Sequence, residues 1–127
     1  MTGEGWVMDI KRGRSIVCLY FGIFLALCAH AEEHKAPAAV ADCVAAVGWV
    51  LDHATEIGGD PARVAVGGDS AGGNLAALVA LHYGPQLRQQ VLVYPATDLT
   101  LSSPSIQENA EGYLLTKSSM EWFVGHM

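Results

Sequence analysis

"RVAVGGDSAGGN", residues 63–74, is the stretch whose reading decides the fold. The strand-like run Arg63-Val64-Ala65-Val66 passes without a linker into glycines that surround one serine. Gly68-Asp69-Ser70-Ala71-Gly72 fits the pattern G-x-S-x-G, and it stands between a predicted strand, about Val64 to Gly67, and a predicted helix, about Ala71 to Tyr83. A turn that sharp forces strained dihedrals on Ser70 and crowds its neighbours. The positions two before and two after it are therefore expected to lack side chains.

The expected product is a nucleophile elbow made of Gly68, Asp69, Gly72 and Gly73, with the Ser70 hydroxyl exposed at the carboxyl end of a sheet. Open α/β sheets bind ligands at that end. The following helix aims its free N–H groups and positive dipole end at the same spot. The Ala71 N–H is then the natural donor to an oxyanion formed in acyl transfer. Two other readings compete. The glycines would make a phosphate-binding loop, since a helix start also binds anions; but the Lys-Ser/Thr ending of such loops is missing, and Asp69 repels phosphate. A tight structural turn with no chemistry is the third. Agreement of strand, knot and helix favours the elbow.

Outward from the knot, Val40, Cys43, Val44, Val47, Val50, Leu51 and Ala54 form one apolar stripe at helical spacing, so a helix is expected from about Ala38 to Ile57. Pro37 suits its first turn, and Gly58-Gly59 ends it. Asp60-Pro61 makes a turn. In the helix after the knot, Leu75, Leu78, Val79 and His82 lie near one face, and Gly84-Pro85 stops it. Gln90 to Tyr94, "QVLVY", reads as another short apolar strand closed by Pro95. Residues 95–115 are turn-rich, and a short helix from about Lys117 to Gly125 is expected to be capped by Thr116. Helix, strand, helix, strand, with continuous apolar strands, is the order of a parallel sheet covered by helices. The fold class is α/β.

A chain of 127 residues holds at most one domain with a feasible core. With 51% hydrophobic and 16% charged residues, disorder is excluded by composition. A net charge of −6 argues against a nucleic-acid partner. Cys18, Cys28 and Cys43 make neither a disulfide framework nor a zinc pattern, so no metal is expected and a reduced, cytoplasmic setting with buried thiols is favoured. The run Ile16 to Ala29, "IVCLYFGIFLALCA", is shorter than the roughly 18 residues of a spanning helix. Lys11, Arg12 and Arg14 before it and Ala29-His30-Ala31 after it give the order of a secretory signal. A core segment and a secreted or membrane-associated chain are thus both open, and the core reading is preferred.

"DPARVAVGGDSAGGNLAA" followed by "VLVYPATDLT" resembles the hormone-sensitive-lipase-like branch of the α/β-hydrolase esterases. "EEHKAPAAVADC" (32–43) is similar to the family's Pro-Glu-His segment and the helix after it, and "NAEGYLLTKSSMEWF" (109–123) to its post-strand region. The resemblance implies a partial α/β-hydrolase catalytic domain over residues 31–127, preceded by a divergent segment over 1–30. It implies a serine carboxylesterase acting on short-chain esters, with Ser70 as nucleophile and no cofactor. "TGEGWVM" (2–8) resembles the tail of the family's His-Gly-Gly-Gly loop, which makes Gly3 and Gly5 further oxyanion-hole candidates, with Glu4 in place of a glycine. A carboxylate there opposes a developing oxyanion.

A serine needs a histidine to take its proton and an acid to orient that histidine, in the chain order Ser, acid, His. After Ser70 the acids are Asp98, Glu108, Glu111 and Glu121, and the histidines are His82 and His126. Only His126 follows an acid, and a helix-end role suits it better. His30, His34 and His53 precede the serine and fit structural roles. The resemblance puts the acid and the histidine beyond residue 127 and matches Asp98 to an aspartate outside the triad. The expectation is therefore a truncated esterase that keeps its nucleophile. The alternative is a catalytically inactive α/β-hydrolase fragment, with a binding role or no defined function.

Overall fold

A computed structural model describes residues 36–125. In chain order they form helix α1 (Ala38–His53), a 3-10 turn (Pro61–Arg63), strand β1 (Ala65–Asp69), helix α2 (Ser70–Tyr83), a second 3-10 turn (Gly84–Gln86), strand β2 (Gln89–Val93) and helices α3 (Pro104–Glu108) and α4 (Lys117–Gly125).

The apolar stripe of α1 does what its spacing predicts: Cys43, Val47, Val50 and Ala54 are buried. Pro37 stands one position outside the helix, and its carbonyl accepts from the Val40 and Ala41 amides at 3.0 and 3.1 Å. The regular ladder stops at His53, short of Ile57. Residues 54–57 finish the helix as a tighter turn, in which Gly59 N–H donates to the Ala54 carbonyl and Gly58 N–H to that of Thr55. Gly58 takes φ +78°, the left-handed closure that glycine adopts without a Cβ penalty. At the other end of the chain, Thr116 caps α4 by accepting from the Ser119 amide at 3.2 Å.

β1 and β2 pair in parallel, with Ala65 opposite Gln89 and Asp69 opposite Val93. The Arg88 amide extends the ladder by donating to the Val64 carbonyl at 2.7 Å. Parallel strands need a crossover, and α2 supplies it. Ser70 and Tyr94, which follow the last register pair, therefore leave the sheet at the same end.

Cys43 and Val47 of α1, Val66 of β1, and Ala76 and Val79 of α2 meet in one core cluster. Full burial of a side chain such as Val79, 1% exposed, contributes about 1.5–3 kcal/mol. The face that α2 buries is Gly73, Ala76 and Val79; of the predicted stripe, Val79 is buried and Leu75 packs against the core, whereas Leu78 and His82 are exposed. Small residues let the helix lie close to the strands, and Leu78 and Leu81 turn outward. Between the helices, Tyr83 donates its hydroxyl to the Val44 carbonyl at 2.7 Å. It does so across Gly48, where a Cβ would lie 2.6 Å from that oxygen.

The two strands differ in burial. β1 buries Val66 and Gly68, as a covered parallel strand should, whereas every residue of β2 is exposed. The expectation of covered strands fails at β2 for a plain reason. Among the described residues each strand has the other as its one ladder partner, so the difference lies in what packs over the faces, and too little covers Val91, Leu92 and Val93 to exclude water. Among the described residues, no helix is long and apolar enough to cross a membrane. The apolar run 16–29 lies outside them.

Candidate active site

Asp69 is the last residue of β1 and Ser70 the first of α2, so strand becomes helix with nothing in between. Ser70 takes φ +52°, a left-handed conformation that costs a side-chain-bearing residue about 1–2 kcal/mol. Tyr94, across the sheet, is likewise left-handed at φ +34°. Strain of this kind persists only where the surroundings over-determine it, and such residues cluster at functional sites.

The surroundings here are close-packed backbone. A Cβ on Gly68 would land on the carbonyl group of Gly72 and lie 2.9 Å from the Gly73 nitrogen. One on Gly73 would lie 3.0 Å from Cα and Cβ of Pro95 and 3.1 Å from the Gly68 oxygen. Gly72 itself has room, for a Cβ there meets only Asp69 Oδ1 at 4.0 Å. The position two after the serine therefore need not lack a side chain on its own account. The crowded pair is Gly68 and Gly73, because Gly73 faces the segment leaving β2.

That segment is bound to the elbow at two points. Ala96 N–H donates to the Ser70 carbonyl at 3.0 Å, and Asn74 Nδ2 donates to the Ala96 carbonyl at 2.7 Å. Asn74 received no role from the sequence. The signal was present in an asparagine one turn past the serine, where a helix interior disfavours that residue type.

Asp69 occupies the N-cap position of α2, but its side chain makes no capping bond. Its Oδ2 accepts instead from the Tyr94 hydroxyl, at a long 3.4 Å. The first amides of a helix have no partner within it. With its side chain turned away, Asp69 caps none of those of α2, Ala71 among them, at the positive end of the helix dipole.

No side chain among the described residues bonds to the Ser70 hydroxyl. His53 faces the Trp49 carbonyl, Nδ1 to O at 2.9 Å, and stacks on the Trp49 ring. His82 is twelve residues along α2, about 18 Å from the serine at 1.5 Å per residue, edge-on to Tyr83. Asp98 is consumed by its own loop, accepting from Thr100 N at 2.9 Å, Thr100 Oγ1 at 2.6 Å and Ser102 Oγ at 2.8 Å. Those bonds, led by the Thr100 hydroxyl, hold its carboxyl below the usual range. Cys43, a free buried thiol, is pushed up by burial and by Asp42, which keeps it protonated and unreactive. Among the described residues there is no cluster of three or more His, Cys, Asp or Glu side chains that could hold a metal ion. Gly3, Gly5, Glu4, His30, His34 and His126 lie outside the described residues.

A family model for the alpha/beta hydrolase fold matches residues 29–127. Carboxylic ester hydrolase LipN of Mycobacterium tuberculosis is 48% identical over 102 residues, which cover 73% of this chain and 27% of the relative. Carboxylesterase NlhH of the same organism is 46% identical over 98 residues, covering 74% and 31%. Among solved structures, a thermophilic and thermostable carboxylesterase cloned from a metagenomic library, EstE1, superposes with a TM-score of 0.67 at 44% identity, over 72% of this chain and 33% of that one. The chain thus spans under a third of the length of the two curated relatives. The match runs through α1, both strands and the elbow and is not confined to the glycine pattern: the chain belongs to the α/β-hydrolase fold family, in its hormone-sensitive-lipase-like branch.

Proposed function

We propose that this chain carries the nucleophile of a serine carboxylic-ester hydrolase acting on small esters. One observation above all supports the reading: Ser70 is held at φ +52° on a direct strand-to-helix junction. Ser70 Oγ attacks the ester carbonyl carbon as a base takes its proton. The tetrahedral oxyanion is held by the Ala71 N–H, with Gly3 and Gly5 as the further donors. The bond to the alcohol oxygen breaks, that oxygen takes the proton, and an acyl-Ser70 ester remains. Water, deprotonated by the same base, then releases the carboxylic acid and restores the serine.

The base in this scheme comes from outside residues 36–125, because His53 and His82 are both placed away from Ser70. A fluorophosphonate probe followed by peptide mapping tests the nucleophile. The expected adduct is on Ser70 and is absent from Ser70→Ala. A folded chain in which Ser70 never reacts removes the proposal. With p-nitrophenyl acetate, weak turnover or none is expected for the chain alone. Fast turnover dependent on Ser70 would place a working base, such as His126, within it.

That no side chain among the described residues bonds to the Ser70 hydroxyl favours one rival, an inactive module that keeps the elbow as architecture. Absence of labelling in a monomeric, helical chain selects that rival.

A further inference from the structure

We infer that Asn74 is a positioning residue for Ser70: its side-chain amide locks the segment leaving β2 onto the elbow and so holds the serine in its strained, left-handed conformation. The inference rests on Ser70 being the nucleophile.

The lock is a small closed circuit. Asn74 Nδ2 donates to the Ala96 carbonyl at 2.7 Å. Ala96 N–H donates to the Ser70 carbonyl at 3.0 Å. Ala71, Gly72 and Gly73 of α2 join Ser70 back to Asn74. Both polar groups of one peptide residue are thus gripped by the first turn and a half of the helix. Pro95 completes the contact by lying against Gly73, with no space for a Cβ between them. The segment enters this grip through Tyr94, itself at φ +34°. Two left-handed, side-chain-bearing residues therefore stand at the same end of the sheet; besides the long Tyr94–Asp69 contact, the bonds that tie the segment after Tyr94 to the elbow are those of Asn74 and Ser70 to Ala96.

The carbonyl of Ser70 belongs to the same residue as the hydroxyl that must attack. Pulling on that carbonyl fixes the peptide plane after Ser70, and with it the direction of the Ala71 N–H. Loss of the Asn74 amide would free Ala96, slacken its bond to Ser70 and let the serine relax. A misplacement of about 1 Å at a reacting centre is enough to slow a reaction by about a hundredfold. Asparagine does this where aspartate would not: an isosteric carboxylate cannot donate to the Ala96 oxygen.

The test compares wild type, Asn74→Ala, Asn74→Asp and Asn74→Gln as full chains. The readouts are the fluorophosphonate labelling rate at Ser70 per folded molecule, amide exchange at Ala96, and melting temperature. Both Asn74→Ala and Asn74→Asp are expected to label about 10- to 100-fold more slowly, with faster exchange at Ala96 and unchanged helical circular dichroism. Asn74→Gln, which keeps the donor, should recover part of the rate. Alanine is a strong helix former, so Asn74→Ala is not expected to unfold α2. A lower melting temperature with labelling unchanged would make the contact purely structural and overturn the inference. A folded wild-type chain with no labelling at Ser70 would instead remove the nucleophile assignment, and the positioning role with it.

Discussion

At Ser70 a serine sits where glycine would be comfortable. Relieving the strain should therefore stabilise the fold and abolish the chemistry together. Ser70→Gly is expected to gain about 1 kcal/mol, read as a melting temperature higher by about 4–8 °C for a domain of this size, with no probe labelling. The glycines around it separate into two kinds. Gly68→Ala drives a methyl into the Gly72 carbonyl and should cost about 1–3 kcal/mol by overpacking. Gly72→Ala meets open space and should stabilise by about 0.5–1 kcal/mol through helix propensity. Paired denaturation curves check both, and equal losses would refute the distinction. The pattern G-x-S-x-G treats those two glycines alike, because a pattern records where side chains are absent and not which absence the packing requires. Asp98 gives a pH prediction. Its carboxyl is held low by Thr100 and Ser102, so its contribution to stability is present above the ordinary carboxylate pKa of about 3.9 and is lost as pH falls through its lower folded value. A carboxyl-carbon NMR titration should place its midpoint below the usual range, and Thr100→Ala should raise it.

Among the elements, α1 and α2 touch through a contact that neither helical wheel contains. Tyr83 reaches over Gly48 to the Val44 carbonyl. Gly48→Ala should destabilise the chain by about 1–3 kcal/mol, since the new methyl would lie against the tyrosine oxygen. In a Tyr83→Phe background the nearest ring atom is 3.7 Å from that methyl. There the same substitution should be close to neutral, and a double-mutant cycle measures the coupling. The stripe of α1 was legible because burial at period 3.6 leaves an apolar signature. The face of α2 was legible only in part. Val79 and Leu75 do pack inward, but the buried face continues through Gly73 and Ala76, which are too small to register in a hydrophobicity pattern, while Leu78 and His82 lie outside it.

For the molecule as a whole, the described residues hold a two-stranded parallel sheet with a covered β1 and an exposed β2. Val91, half exposed on an edge strand, is a template for pairing with another chain. The full chain is expected to associate with rising concentration, and Val91→Lys should shift light scattering toward monomer while leaving far-UV circular dichroism unchanged. Association unaffected by that substitution would exclude β2 as the sticky edge. Apolar composition in Gln89–Val93 announced a strand, but composition does not say what covers it. Burial belongs to the neighbours.

The sequence by itself determined the α/β class, the places of both strands and all three principal helices, and the serine at their junction, because periodicity and glycine placement act over a few residues. Only the tertiary structure decided which glycines are indispensable, which face of α2 is buried, that β2 stands open among the described residues, and that Asn74 reaches Ala96 22 residues away to brace the elbow. Those outcomes depend on which chain segments meet in space, and a contact between distant residues leaves no local trace in either one.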